Sequence, residues 1–212
     1  MTSLIMVNGE YSDDSWYKSR THNFEYILCA DGGANYARKF NITPNLIIGD
    51  MDSITEENIS YFKQKNVEIL TVPREKDFTD TQLSLYHMKN LGIKDVTIWG
   101  GVGDRLDHTL ANIYSAVDYV KNGMNVVFES PSLNIYIVLD KLALSGEIGD
   151  TVSILTLSEY AKGVNLEGFK YPLTEAKLEV FNPIGISNVL VKTEATVRVA
   201  EGVLAVFHNI NK

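Results

Sequence analysis

Carboxylates recur through the first half of the chain, at Asp31, at Asp50 with Asp52, at Asp77 with Asp80, and at Asp107, and nearly all follow a short apolar run. Acids gathered from separate turns repel one another unless a cation or a proton sits among them. Gly49-Asp50-Met51-Asp52-Ser53 is the sharpest local signal. In an extended segment residues two apart point the same way, so both carboxylates can face one ion. Mg2+ suits them, because it takes oxygen ligands and commonly bridges one or two carboxylates to substrate phosphates. The plainer reading is that Asp52 or Ser53 caps the helix that follows, which explains one acid and leaves the other. Asp77-Phe78-Thr79-Asp80-Thr81 also precedes a helical pattern, with Thr79 or Asp80 as an ordinary N-cap. Just upstream, Arg74 and Lys76 are either phosphate ligands or solvated loop charges.

Two glycine-rich turns add a phosphate signature. Gly100-Gly101-Val102-Gly103-Asp104-Arg105 leads into a helix start at Leu106-Asp107-His108-Thr109. Glycines at 101 and 103 let backbone amides approach phosphate oxygens, the helix N-terminus adds a favourable partial charge, and Arg105 can grip a phosphate with two hydrogen bonds. His108 reads as a polar helix-start residue rather than a base. Neither a P-loop nor a dinucleotide fingerprint is present, and turn chemistry alone is an equal explanation. Asp31-Gly32-Gly33-Ala34-Asn35 is built the same way. Gly32 and Gly33 permit close approach of a base or ribose to Asp31 and Asn35, and the bland alternative is a helix cap with a tight turn.

The elements that must position these turns are legible as a rhythm. Apolar runs at 26–29, 46–48, 67–72 and 96–99 read as buried strands, with an opening strand at 4–8 and a closing one at 126–129. Helical patterns occupy 34–40, 55–65, 79–91 (Leu83, Tyr86 and Leu91 on one side) and 106–121 (Leu110, Ile113, Ala116, Val117 and Val120). Alternation of this kind implies a mostly parallel sheet flanked by helices, whose strand-to-helix turns share one ligand-binding edge. Beyond Pro131 the pattern becomes short and β-branched, with strands expected at 134–140, 151–157, 163–169, 178–182, 189–192, 196–200 and 203–207. The expectation is an α/β domain over 1–131 followed by an all-β sandwich over 132–212. Trp16 and Trp99 read as core.

Composition narrows the function. Of 212 residues, 45% are hydrophobic, enough for real cores, and 19 basic against 27 acidic residues give a net charge of −8. That balance argues against nucleic acid or an anionic membrane as partner, so a nucleotide would have to arrive with a metal. A single cysteine, Cys29, precludes an internal disulfide. With no basic-then-apolar start and no apolar run of about 20 residues, the expectation is a soluble, cytoplasmic protein.

Taken in order, Ala30-Asp31-Gly32-Gly33-Ala34-Asn35, Gly49-Asp50-Met51-Asp52-Ser53, Asp77-Phe78-Thr79-Asp80, the stretch from Gly101 through Asp107-His108-Thr109-Leu110-Ala111-Asn112, and Gly185-Ile186-Ser187-Asn188 resemble the ordered motifs of bacterial thiamine pyrophosphokinases. The resemblance spans almost the whole chain. It implies transfer of a diphosphoryl group from ATP to the hydroxyethyl oxygen of thiamine, giving thiamine diphosphate and AMP, with Mg2+ required. It also implies a homodimer with active sites at the subunit interface.

By this resemblance Asp50, Asp52 and Asp80 hold the metal and phosphates, with Asp77 close by, and Asp31 and Asp107 complete the acidic pocket. The ATP side comprises Asp31, Gly32, Gly33, Asn35, Arg74, Gly101, Gly103, Arg105, His108 and Thr109. Ser187 and Asn188 line the thiamine side. Eukaryotic members are similar in carrying a tryptophan near the chain end over the thiamine; here Phe207 or His208 stands in that strand instead. Asp107 or Asp77 is the expected proton acceptor. Two other readings fit parts of the pattern: a Mg-dependent nucleotide-sugar transferase built on Asp50-Met51-Asp52, and a non-catalytic small-molecule sensor in which the acids are caps.

Overall fold

The computed structural model describes residues 2–73 and 78–210, and the chain folds as two compact units, Met1–Pro131 and Ser132–Lys212. In the first unit strands and helices alternate: β1 (Thr2–Met6), α1 (Asp14–Arg20), β2 (Tyr26–Ala30), α2 (Gly33–Lys39), β3 (Leu46–Gly49), α3 (Glu56–Gln64), β4 (Glu68–Thr71), α4 (Asp80–Asn90), β5 (Asp95–Trp99), α5 (Leu106–Lys121) and β6 (Asn125–Glu129). All of its strand pairings are parallel, in the order β6-β5-β1-β2-β3-β4. The chain therefore winds outward from β1 to β4, then returns to the other flank of β1 with β5. In an open parallel sheet such a reversal leaves a crevice beyond the carboxyl ends of the strands, because the connections on either side run to opposite faces.

Period-2 alternation divides the side chains of the central strands between two layers. On one face Leu4, Met6, Ile27, Cys29, Ile47 and Trp99 pack with Tyr17 of α1, Ala34, Ala37 and Phe40 around α2, and Phe62 of α3. On the other side α4 lies against β2 and β3, and α5 against β6. Trp99 is fully buried, and its indole N–H donates to Glu129 Oε2 at 3.0 Å, satisfying the one polar atom that burial would otherwise strand. Trp16 packs at the margin of the same cluster.

Three expectations change, and one helix is added. The run over 67–72 is not a buried strand, since β4 is the outer strand of the sheet and Glu68, Leu70 and Thr71 are exposed. The core side of α4 is Thr81, Ser84, Leu85 and Met88, and Tyr86 and Leu91 face solvent. Two hydroxyl residues hid that stripe from a hydrophobic count, yet Ser84 donates back to the Asp80 carbonyl at 2.7 Å and so buries no unpaired group. In α5, Ile113, Ala116 and Val120 are buried but Leu110 is exposed. Helix α1 went unread, because a single buried residue, Tyr17, gives it no period; Asp13 starts it by accepting from the Ser15 and Trp16 amides.

The second unit is antiparallel: β7 (Leu133–Val138), β8 (Lys141–Ser145), β9 (Thr151–Thr156), β10 (Tyr160–Glu167), β11 (Leu173–Glu179), β12 (Asn188–Val189), β13 (Glu194–Arg198) and β14 (Leu204–Asn209). They form two layers, β12-β9-β14-β7 and β11-β10-β13-β8. Residues of both layers share one core, including Val152 and Ile154 of β9, Val164 and Leu166 of β10, Val197 of β13, and Leu204 and Val206 of β14. This is a sandwich. Strand β8 was not expected, and β12 is shorter than the run over 189–192.

Phe62 is a wholly buried aromatic in the first unit. Replacing it with alanine is expected to cost about 3–5 kcal/mol through lost burial and a residual cavity, read as a lower urea midpoint with an unchanged m-value.

Candidate active site

An open cleft of about 660 Å3 lies at the carboxyl edge of the first unit's sheet. Its walls are Val7, Asn8, Gly9 and Glu10 after β1, Ala30 and Asp31 at the end of β2, Asp50 and Ser53 after β3, Phe78, Thr79, Asp80 and Thr81 at the start of α4, and Gly100, Gly101, Gly103, Asp104 and Arg105 after β5, with His108, Thr109, Ala111 and Asn112 of α5. The site is thus drawn from both flanks of β1.

Two of these acids, Asp31 and Asp50, converge with Asp52. Asp31, Asp50 and Asp52 each offer an oxygen, all within 4.8 Å of one another. The extended geometry expected for Asp50 and Asp52 is not what joins them. Met51 is left-handed (φ 66°), and Asp50 Oδ1 accepts from the Asp52 amide at 3.1 Å, so a tight turn folds the two acids together. Capping does not account for them either: α3 is capped by Thr55, whose hydroxyl accepts from the Asn58 amide, and α4 by Thr79 in a reciprocal box with Gln82.

Asp31 is the unusual member. It is 4% exposed, its φ is +43°, and its Oδ1 has no hydrogen-bond partner among the described residues. Burial, with a smaller contribution from the facing charge of Asp80, raises its pKa above the ordinary carboxylate value. A buried, strained acid with an unsatisfied oxygen is costly unless something binds it. Three clustered carboxylate oxygens are the donor set a hard divalent cation takes, so Asp31, Asp50 and Asp52 could hold one, and Asp80 lines the same cleft from the first turn of α4.

Opposite the acids, the glycine turn is held rigidly. Gly103 N donates to Thr109 Oγ1 at 3.2 Å, and Asn112 Nδ2 donates to the Gly101 carbonyl at 2.9 Å. Helix α5 receives no side-chain cap from its N-cap residue, Arg105. In its first turn the Asp107 carboxylate accepts from the His108 amide, as the positive end of a helix favours a negative group. Arg105 pairs with Asp107 through two contacts, Nη2 to Oδ2 at 2.6 Å and Nε to Oδ1 at 3.3 Å. That pairing holds the Asp107 carboxyl below its usual range, the wrong direction for a proton acceptor.

Other expected residues fall into distinct positions. Asn35 ties the first glycine turn to the acid turn: Nδ2 donates to the Ser53 carbonyl at 2.8 Å, and Oδ1 accepts from Thr55 N and Asn58 Nδ2. Gly32 and Gly33 begin α2, and a Cβ on Gly33 would lie 2.1 Å from the Met6 carbonyl oxygen, so only glycine lets the helix start there. His108 and Thr109 line the cleft. Arg74, Lys76 and Asp77 lie outside the described residues.

In the second unit, Ser187 (φ +56°) donates its amide to Ser153 Oγ at 3.0 Å, and Ser153 is the cross-strand neighbour of Phe207. Asn188 is buried and clamps Tyr171, accepting from its amide at 3.0 Å and donating to its carbonyl at 2.7 Å. His208 points into the sandwich, where Nε2 lies 2.7 Å from Asp150 Oδ2, so of the two closing-strand candidates only Phe207 remains available to a ring.

Sequence reading passed over Asn8 and Glu10 as site residues, and noted Phe78 and Asn112 only as parts of their motifs. The first two follow an apolar run as the acids do, but a turn without an acidic pair carried no signal.

Replacing Asp31 with asparagine is expected to leave metal-free thermal stability equal or higher while abolishing the stabilisation that added Mg2+ gives the wild-type protein. Because the folded pKa of Asp31 is raised, ionisation lowers wild-type stability as pH rises past the unfolded carboxylate value of about 4. The gap between variant and wild type should widen through that range and then level off, as melting curves at a series of pH values would show.

Known proteins give the cleft its context. A profile described as the catalytic domain of thiamin pyrophosphokinase matches residues 17–128, and one described as the vitamin B1 binding domain of the same enzymes matches residues 141–204. Thiamine pyrophosphokinase of Bacillus subtilis is 28% identical over 165 residues, covering 77% of each chain, and thiamin pyrophosphokinase 1 of Caenorhabditis elegans is 26% identical over 203 residues, covering 87% of this chain and 79% of its own. The crystal structure of the Bacillus subtilis enzyme superimposes with a TM-score of 0.87 at 23% identity, over the whole of both chains. Two family profiles on the two units, with relatives that share most of their length, place this chain in the thiamine pyrophosphokinase family.

Proposed function

We propose that the protein transfers the diphosphoryl group of ATP to the hydroxyethyl oxygen of thiamine, releasing AMP, and that ATP binds in the cleft of the first unit. One observation carries the placement: three carboxylates from two turns, one of them buried with an unsatisfied oxygen, meet at the reversal point of a parallel sheet opposite a glycine turn and the start of a helix.

Attack of an alcohol on the β-phosphorus needs in-line placement and neutralised charge, so positioning and electrostatics supply most of the rate. Asp31, Asp50, Asp52 and Asp80 would hold Mg2+, which when bound offsets phosphate charge in the transition state. The Gly101 and Gly103 turn and the first turn of α5 present amides to the phosphates. Arg105 approaches the same oxygens, pre-aimed by Asp107. Asp107 thereby serves as an anchor rather than a base, and Asp77, three residues before Asp80 in sequence, is the acceptor we assign for the hydroxyl proton.

Thiamine is assigned to the second unit, near Ser187 and Phe207, with Asn188 shaping the loop behind. We further propose a homodimer with its active sites at the subunit interface, in the cytoplasm. Leu106, Leu110 and Tyr114 form an exposed apolar stripe at i, i+4 spacing on α5, and Phe181, Ile184 and Ile186 are exposed beside the Ser187 motif; a second copy would cover such surfaces.

Incubation with thiamine, ATP and Mg2+ should give AMP and thiamine diphosphate in equal amounts, and chelation by EDTA should stop it. ADP with thiamine monophosphate, or no turnover, would sink the assignment. Asp50→Asn and Asp52→Asn are each expected to lower kcat by at least about a hundredfold in folded protein, the scale of losing a few kcal/mol of charge stabilisation.

A further inference from the structure

Beneath the cleft lies an aromatic cluster whose central hydroxyl is bonded into the sheet. The ring of Tyr11 stacks on Tyr36, with centroids 4.1 Å apart and planes at 26°, and meets Tyr17 edge-on at 4.8 Å. Its hydroxyl is 2.9 Å from the Val7 carbonyl oxygen and 3.1 Å from that of Trp99, so one proton is shared between the ends of β1 and β5. Those are the two strands at the reversal point. Burial raises the phenol well above its usual pKa, which keeps it a donor at any physiological pH.

The neighbouring backbone leaves no slack. Gly100 is left-handed (φ +73°), and a Cβ there would lie 2.6 Å from the Val7 carbonyl oxygen and 2.7 Å from the Tyr11 hydroxyl. A Cβ on Gly9 would lie 1.9 Å from the Gly100 carbonyl oxygen. The turn after β1 and the turn after β5 are thus in backbone contact, with the Tyr11 hydroxyl in the remaining space. Glu10 adds a second tie, its Oε1 accepting from the Asp104 amide at 3.2 Å. On the far side Thr109 and Asn112 hold the same turn from α5.

We propose that Tyr11 is a positioning residue for the nucleotide phosphates: its hydroxyl fixes the direction in which the Gly100-to-Gly103 turn presents its amides to the cleft. The inference rests on the reading of that cleft as the ATP site. Tyr11 itself does not touch the phosphates and acts through the glycine turn. Its specificity for that role follows from geometry, since the hydroxyl bridges the two strand ends from which the turn and its neighbour depart.

A matched pair of substitutions tests it. Tyr11→Phe removes the bridging hydroxyl and keeps the ring. Neither carbonyl is orphaned, because the Val7 oxygen still accepts from Gly9 N and the Trp99 oxygen from Val7 N, each at 3.0 Å, so the variant should fold. Tyr17→Phe makes the same chemical change in the same cluster, but the Tyr17 hydroxyl has no partner among the described residues. Binding of Mg-ATP by titration calorimetry, and KM for ATP and thiamine separately, are the readouts.

Tyr11→Phe is expected to weaken Mg-ATP binding about three- to tenfold, the scale of one hydrogen bond, with the thiamine KM unchanged, and Tyr17→Phe to change neither. Mg-ATP affinity of Tyr11→Phe within about twofold of wild type would overturn the proposal, as would equal weakening by both variants or a parallel rise in the thiamine KM. Should wild type bind Mg-ATP yet form no thiamine diphosphate, the reaction assignment falls and the calorimetric comparison alone decides the role of Tyr11. Should wild type bind no Mg-ATP, both fall.

Discussion

Mutual repulsion among carboxylates is the constraint around which the first unit is organised. Asp31, Asp50 and Asp52 would separate if they were free, and they are kept together because two turns fix them: a left-handed aspartate at the end of β2, and a left-handed Met51 between the other two. Those turns are in turn pinned by contacts that do no chemistry themselves. Asn35 joins the α2 turn to the acid loop and to α3, and a Cβ on Gly49 would already meet Asp31 Cβ at 2.8 Å. The scaffold thus holds a locally unfavourable charge arrangement that a cation would relieve, the usual relation between fold stability and a binding site.

Much of this is legible in the sequence, for identifiable reasons. Parallel strands buried on both faces write themselves as continuous apolar runs, and the acids and glycines after them stand out because turns at the carboxyl edge share one location. The run at 67–72 has the same appearance, yet it forms the sheet's edge; an apolar run does not encode how many neighbours it will have. The buried face of α4 was hidden because Thr81 and Ser84 are polar by type, and only the back-bond from Ser84 to Asp80 makes that burial inexpensive.

Side-chain roles were less legible than positions. Asn35 and Asn188 both have the donors and acceptors of a ligand contact, and both use them on groups of neighbouring segments. Asp107 has the type of a base and the environment of an anchor, because Arg105 lies two residues away on the same helix start. The Asn8 to Tyr11 segment was invisible for the opposite reason: its importance comes from the strand order, which brings the turn after β1 against the turn after β5, and no local pattern announces a pairing between segments so far apart in sequence.

That same strand order has a kinetic side. Strands β1 to β4 and their helices are linked by short-range connections and can assemble as a contiguous block, but β5 joins by pairing Thr2 with Asp95 and Met6 with Trp99, a long loop closure whose entropy must be met before its contacts reward it. The acid cluster belongs wholly to the early block, while the glycine turn arrives with β5. On a ribosome, then, the turns that carry Asp31, Asp50 and Asp52 are synthesised before β5 brings the glycine turn, so the two walls of the cleft are laid down one after the other along the chain.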